Sequence, residues 1–294
     1  MPDLPAETSP IDALPRPLLV AAHDAGAANM IAAWCAEAQV SPDLVYAQGP
    51  AAAILARVPG LAVHSSPDWT GEKAATVLTG TGWASDLEHD ARLWAARNDI
   101  PSIAVIDHWV NYEARFTRGG ETVLPDTMVV GDALALQIAQ ETFPGHPVEL
   151  WPNRYFAAEV SACGPVPLQG DTLFVAEPAR SDWGREQEGE FQALDWFALH
   201  GGDAARRVRL RPHPSDPAGK YDRWLGERSG WSLDASPDLS SAMKEARCVA
   251  GLNSMAMAVA LEAGREVVCT IPPWGPECLL PHAGIKRLLP NTLA

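Results

Sequence analysis

Residues 248–273, CVAGLNSMAMAVALEAGREVVCTIPP, decide how this chain is read. "CVAGL" is a short apolar run ending near Gly251, "SMAMAVALEAG" reads as a buried helix, and "EVVCTIPP" is a second apolar run closed by prolines. Short, nearly continuous runs of Val, Ile, Leu and Ala mark strands buried on both faces. Strand, helix and strand in succession make a parallel βαβ unit with a right-handed crossover. Gly251 allows close backbone approach, and Asn253-Ser254 suits a helix N-cap. The exposed amides and dipole at such a helix start favour a phosphate. Glu262 lies a little over two helical turns beyond Ser254, where a carboxylate could bond ribose hydroxyls. The competing reading is a plain buried helix with a serine cap.

The same rhythm runs through the chain. "PLLVAA" (17–22), "DLVYA" (43–47), "LAVHSS" (61–66), "AATVLTG" (74–80), "SIAVIDHW" (102–109) and "DTMVVGD" (126–132) are apolar runs, most of them leading into helical stretches. The rhythm breaks at "WPNRYFAAEVSACGPVPLQG" and resumes with "DTLFVAEPA" (171–179), "RVRLRPHP" (207–214) and "GWSLDA" (230–235). The expected organisation is a disordered lead-in over 1–16, a Rossmann-like acceptor domain over 17–151, a linker over 152–170 and a nucleotide-sugar-binding domain over 171–294. The fold class is α/β, two Rossmann-like domains whose parallel sheets face a central cleft. Ligands in such sheets bind at the carboxyl ends of the strands.

Composition narrows the partners. The chain has 294 residues, 47% hydrophobic and 20% charged, with net charge -15. That acidity argues against a nucleic-acid backbone or an anionic membrane as the main partner. No apolar run approaches a membrane span. The opening residues are acidic and proline-rich where a signal peptide is basic and apolar. Five cysteines without a CxxC pair suit reduced thiols in a cytoplasmic protein.

Polar clusters follow the strands. In "RLRPHPSD" (209–216) two prolines restrain His213, and Arg209 and Arg211 alternate on the strand before it. Such a setting suits a positioned cationic donor to a phosphate leaving group, since charge accumulates on that oxygen as the bond to the sugar breaks. The competing readings are a structural histidine and a solvated arginine face.

Strand, "RPHP", strand and then "GLNS…LEAG…CTIP" resembles the donor-binding domain of GT-B glycosyltransferases. The HP pair followed by a Ser-led helix is most similar to the bacterial sialyltransferase and Kdo-transferase branches. The resemblance covers about residues 171–275. It implies that His213 and Ser254 contact the donor phosphate and that Glu262 stands where other GT-B enzymes bind ribose; Arg211 on the strand before His213 and Asn253 at the helix cap complete the expected donor contacts. It implies a nucleotide-sugar co-substrate, CMP- or UDP-linked, with no cofactor and no metal. Two departures stand out. The chain is short for GT-B, and no acidic acceptor motif of the sialyltransferase type is present.

An inverting transferase needs a base in its acceptor domain. "HDAGAAN" offers His23 and Asp24, and "DHWVNYEARF" offers Asp107; the competing reading is capped turns. Trp83, His108, Trp109 and Asn111 are the expected acceptor contacts, because sugar CH groups stack on aromatic faces. "PPWGPE" (272–277) could close over a nucleotide base through Trp274 and Glu277. No Walker A, GxGxxG or metal-ligand spacing occurs. The sequence thus suggests an inverting transfer of a sugar, including a nonulosonic acid, to a glycan or protein acceptor. A nucleotide-sugar hydrolase or 2-epimerase, or a two-lobed binding protein without catalysis, are the alternatives.

Overall fold

The apolar runs become the strands of two parallel sheets, one in each of two units, Met1–Tyr155 and Phe156–Ala294. The structure, a computed structural model, describes residues 8–290. The first unit contains β1 (Leu18–Ala22), α1 (Ala25–Glu37), β2 (Leu44–Ala47), α2 (Gly49–Leu55), β3 (Thr76–Thr79), α3 (Leu87–Arg97) and β4 (Ser102–Ile106). A small hairpin, β5 (Thr117–Arg118) with β6 (Glu121–Thr122), precedes β7 (Thr127–Val130), α4 (Ala133–Thr142) and β8 (Val148–Leu150). The sheet runs β2-β1-β3-β4-β7-β8. The chain steps outward from β1 to β2, then returns to β3 on the other side of β1. Such a reversal opens a crevice at the carboxyl ends of β1 and β3.

Every residue of β1 is buried. Leu18, Val20 and Ala22 pack in one cluster with Ile31, Trp34 and Leu55, while Leu19 and Ala21 join Val77, Leu87, Ala91 and Ala95. That two-sided alternation is why the sequence shows a continuous run there instead of a period of two. Burying each such leucine contributes about 1.5–3 kcal/mol. Trp34 is fully buried, edge-on to Trp151 at 5.2 Å, and donates its indole N–H to Pro152 O at 2.8 Å.

Three expectations change. From residue 8 the lead-in is structured: Pro10–Ala13 forms a 3-10 turn, Ile11 is buried in the Trp34 cluster, and Ser9 Oγ donates to Trp34 O at 2.7 Å. Ile11, the Ser9 hydroxyl and the Asp12 carboxylate, which accepts Gln39 N–H at 2.9 Å, hold it in place. Residues 1–7 lie outside the described residues. "LAVHSS" forms only an isolated bridge, His64 to Tyr46. The expected linker contains helix α5 (Arg154–Ala162), and the carbonyls after it, Cys163 and Gly164, accept from the Arg265 guanidinium at 2.8 and 2.7 Å.

The second unit contains β9 (Asp171–Val175), α6 (Gly189–His200), β10 (Val208–Arg211), α7 (Asp222–Gly226), β11 (Trp231–Leu233), α8 (Leu239–Lys244), β12 (Ala246–Gly251), α9 (Met255–Glu262), β13 (Glu266–Cys269) and β14 (Lys286–Arg287). The order is β11-β10-β9-β12-β13-β14, all parallel, reversing between β9 and β12. This is the Rossmann order. Among the described residues no helix is long and apolar enough to cross a membrane.

Candidate functional site

In the first unit the crevice between β1 and β3 gathers His23, Asp24, Gly82 and Glu88. His23 Nδ1 and Asp24 Oδ1 are 2.6 Å apart. Asp24 is the N-cap of α1, yet its side chain makes no capping bond, so its carboxylate turns toward the neighbouring loop. A Cβ on Gly82 would stand 2.3 Å from Asp24 Oδ2, so only glycine lets that loop approach. Glu88 is fully buried at the start of α3, and its two oxygens accept His23 N–H at 2.9 Å and Gly82 N–H at 2.6 Å. Burial pushes the Glu88 carboxyl up to about 7, against the pull of the His23 amide. Of these carboxylates Asp24 is the most open, its side chain 36% exposed.

Asp107 stands next to this group. Its Oδ1 accepts from Arg115 Nη1 at 2.8 Å, and its Oδ2 lies where a Cβ on Gly26 would be, 1.6 Å away, against the first turn of α1. Arg115 also donates to Thr81 Oγ1 at 3.1 Å and to Val110 O at 3.0 Å, and its guanidinium lies 5.5 Å from the Trp83 ring. Arg118 bonds Gly82 O. Asp107 is thus a clamp held by an arginine, in contrast to the expected base. Trp83 is exposed. Trp109 departs from expectation: it is buried, packs edge-on to His108 at 5.1 Å and donates to Asp132 Oδ2 at 2.9 Å. An indole committed to the interior cannot offer a stacking face. Asn111 is exposed with φ 60°, in the loop before the 3-10 turn at Glu113–Phe116.

In the second unit His213 follows β10. Its Nδ1 accepts the Ser215 backbone N–H at 3.1 Å and lies 2.7 Å from Ser215 Oγ. In the neutral ring this leaves the proton on Nε2. Burial, with the charges of Arg180 and Lys220, holds the ring below the ordinary histidine range, against the pull of Asp216. His213 is therefore a neutral N–H donor near pH 7, where the sequence suggested a cation.

Its loop is fixed from behind. Asp216 accepts His213 N–H at 2.9 Å, Tyr221 O–H at 3.0 Å and Lys220 Nζ at 2.8 Å. Lys220 continues to Glu190 at 2.6 Å, and Glu190 accepts Ala179 N–H at 3.1 Å, linking the loops after β9 and β10.

Ser254 caps α9, its Oγ accepting Ala256 N–H at 3.2 Å. Asn253 is structural: its N–H goes to Glu177 Oε2 at 3.0 Å and its Oδ1 accepts Leu279 N–H at 2.7 Å. Glu177 follows β9, and burial raises its carboxyl above the usual range. Two expected donor contacts fall away. Arg211 donates to Asp234 Oδ2 at 2.6 Å and Ser236 O at 3.1 Å, while Arg209 spans Asp171 and Asp234, both at 2.7–3.0 Å. The alternating arginines serve Asp171 and the buried Asp234 on one sheet face. Glu262 is the last, exposed residue of α9, just before β13 begins. It therefore sits at the amino edge of the sheet, away from Ser254, because a crossover helix runs antiparallel to its strands.

Beside α6, a cavity of about 590 Å³ is bordered by Arg185, Gln192, Trp196, Leu199 and Trp274. Trp274 is edge-on to Trp196 at 5.2 Å, lies 3.8 Å from the Arg185 guanidinium and donates to Gln192 Oε1 at 2.7 Å. Glu277 is exposed in the following loop. Among the described residues no group of three or more His, Cys, Asp or Glu could hold a metal ion.

Sequence patterning does not mark Glu88, Arg115, Glu177, Glu190, Asp216 or Lys220 as site residues. A charged residue on the buried face of a helix was the available signal for Glu88 and Glu190.

No family model and no curated protein matches the chain at a significant level. Solved structures do share the fold. One is a Staphylococcus aureus MnaA–UDP co-structure, 14% identical, covering 86% of this chain and 78% of that one at a TM-score of 0.56. The UDP-GlcNAc 2-epimerase from Methanocaldococcus jannaschii is 10% identical, covering 86% and 83% at 0.53. A glycotransferase of kitacinnamycin is 13% identical, covering 94% and 87% at 0.51. The fold is α/β, with two Rossmann-type units of the GT-B kind.

Proposed function

We propose that this chain is a glycosyltransferase that takes a sugar from a nucleotide-activated donor. The observation that carries the reading is His213, a neutral imidazole anchored through Nδ1, with Nε2–H left as donor. Such a donor meets the negative charge that develops on a leaving phosphate oxygen. The amides of the α9 N-terminus and the charge of Arg180, felt by both His213 and Glu177, support the same ligand. Strands β10 and β12 flank β9, a separation of about 10 Å that suits a nucleotide phosphate group.

The acceptor step belongs to the first unit in this reading. Asp24, oriented by His23, takes the acceptor hydroxyl proton as that oxygen attacks the anomeric carbon. The bond from that carbon to the phosphate oxygen breaks, and configuration inverts. Trp83 offers an exposed ring for a sugar face. The acceptor is a glycan or a protein, and the order HP…S leaves a CMP-linked nonulosonic acid beside UDP-sugars as donor.

A 2-epimerase is the second reading. Two of the similar structures are described by UDP binding or UDP-GlcNAc 2-epimerase, and Glu88 titrates near neutrality beside His23 and Asp24. Incubation with UDP-, CMP-, GDP- and dTDP-sugars, followed by NMR of the products, separates the readings. Nucleotide release that depends on an added glycan supports transfer. A C2-epimer without acceptor supports epimerisation, and free sugar supports hydrolysis. Binding without turnover supports a two-lobed receptor.

A further inference from the structure

Two cysteines far from any CxxC pattern meet in the second unit. Cys269 is the last residue of β13, and Cys278 lies nine positions on, in the segment that leads to β14. Both thiols point at one acceptor, Leu252 O, at 3.4 Å from Cys269 Sγ and 3.8 Å from Cys278 Sγ. Sharing that acceptor sets the two sulfurs beside each other, close enough for each to shift the other's ionisation. Cys269 is fully buried, whereas Cys278 is half-buried and within reach of small solutes. Leu252 and Asn253 form the turn between β12 and α9, and Leu279, next to Cys278, already donates to Asn253 Oδ1 at 2.7 Å.

We infer that Cys269 and Cys278 are a peroxide-sensitive dithiol, a modification site whose disulfide fastens the segment after β13 to the β12–α9 turn. The asymmetry of the pair sets the order of events. The Cys269 S–H stabilises the Cys278 thiolate and lowers that thiol below its usual range, while the same contact, with burial, raises Cys269. The thiolate is the nucleophile. Cys278 S⁻ attacks one oxygen of hydrogen peroxide, the O–O bond breaks, and the sulfur becomes a sulfenic acid as hydroxide leaves. Cys269 sulfur then attacks that sulfur, the S–O bond breaks, and its proton leaves with the second oxygen as water. Two thiols and one peroxide give one disulfide and two waters. Cys35, Cys163 and Cys248 are buried apart and take no part.

The site stands independently of the glycosyltransferase reading. The test treats the full-length protein with hydrogen peroxide and maps the products by mass spectrometry after alkylation. Expected is a loss of two hydrogens and a Cys269–Cys278 linked peptide, with the other three cysteines still alkylated after unfolding. The Cys269→Ser variant should stop at a dimedone-reactive sulfenic acid on Cys278. In untreated protein, iodoacetamide should label Cys278 first, with a pH midpoint below that of a free thiol at about 8.5. Over-oxidation of Cys278 with Cys269 still alkylatable, or Cys278 labelling no faster than the buried thiols, would overturn the inference.

Discussion

Glu88 Oε1 accepts the backbone N–H of His23 at 2.9 Å while its Oε2 accepts that of Gly82, so one buried carboxyl sets the spacing of the loops after β1 and β3. Its folded value, about 7, lies above that of an unfolded glutamate. Between roughly pH 4.5 and 7 the folded state therefore holds more protons than the unfolded chain. The contribution of Glu88 is full below that window and is lost as pH rises through it, on the order of 3 kcal/mol. Melting temperature against pH should show this fall in the wild type and a flatter profile in Glu88→Gln. Equal slopes would remove Glu88 from the account.

Gly82→Ala introduces a Cβ into the space of the Asp24 carboxylate, which lies 2.3 Å away. The displaced carboxylate should lower kcat at least tenfold, at a stability cost of about 1–3 kcal/mol. Urea unfolding measured beside turnover separates the two effects. Normal kcat would mean that Asp24 is not the base.

Asp234, with a fully buried side chain, accepts from both Arg209 and Arg211. Breaking such a buried pair leaves charge uncompensated, and Asp234→Ala should cost about 3–5 kcal/mol in urea unfolding. Against burial, the Ser236 hydroxyl, with Arg211 and Arg209, holds the Asp234 carboxyl below its ordinary range. Its contribution is present above the unfolded value near 3.9 and is lost as pH falls through the lower folded value. Acid unfolding should therefore begin at higher pH in the variant.

The strands were legible because burial on both faces leaves a short continuous apolar run, which its length and flanking turn residues separate from a buried helix such as α9. β1 and β12 are of this kind. β8 and β14 were not foreseen: Val148–Leu150 and Lys286–Arg287 are short and half exposed, with no pattern strong enough to stand out. Helix α5 escaped notice because it is short, with no fully buried residue, and because Pro152, Gly164, Pro165 and Pro167 around it read as a linker. At the candidate sites, the loops were visible as polar clusters after strands, but their partners were not. Arg211 and Asp234 are joined by the pairing of β10 with β11, and Glu88 meets His23 only through the crossover from β1 to β3. Glu262 was misplaced for a related reason. Spacing along a helix gives the distance from Ser254 but says nothing of which sheet edge lies at the far end.

His213 should act as a neutral donor over a wide pH range. Its ring is held below the ordinary histidine range, so the acid limb of kcat/KM should fall below about pH 6.5. His213→Gln should flatten that limb. An acid limb above that value would assign it to another group.

The central claim is a nucleotide-phosphate site built on His213 and the α9 N-terminus. The most direct test is a thermal-shift screen of wild type and His213→Ala against CMP, CDP, UDP, GDP and dTDP, since a ligand of the folded state raises its melting temperature. The account predicts that at least one nucleotide stabilises the wild type, that His213→Ala melts close to the unliganded wild type, and that its shift is much smaller. No shift with any nucleotide, or equal shifts in both proteins, would contradict it.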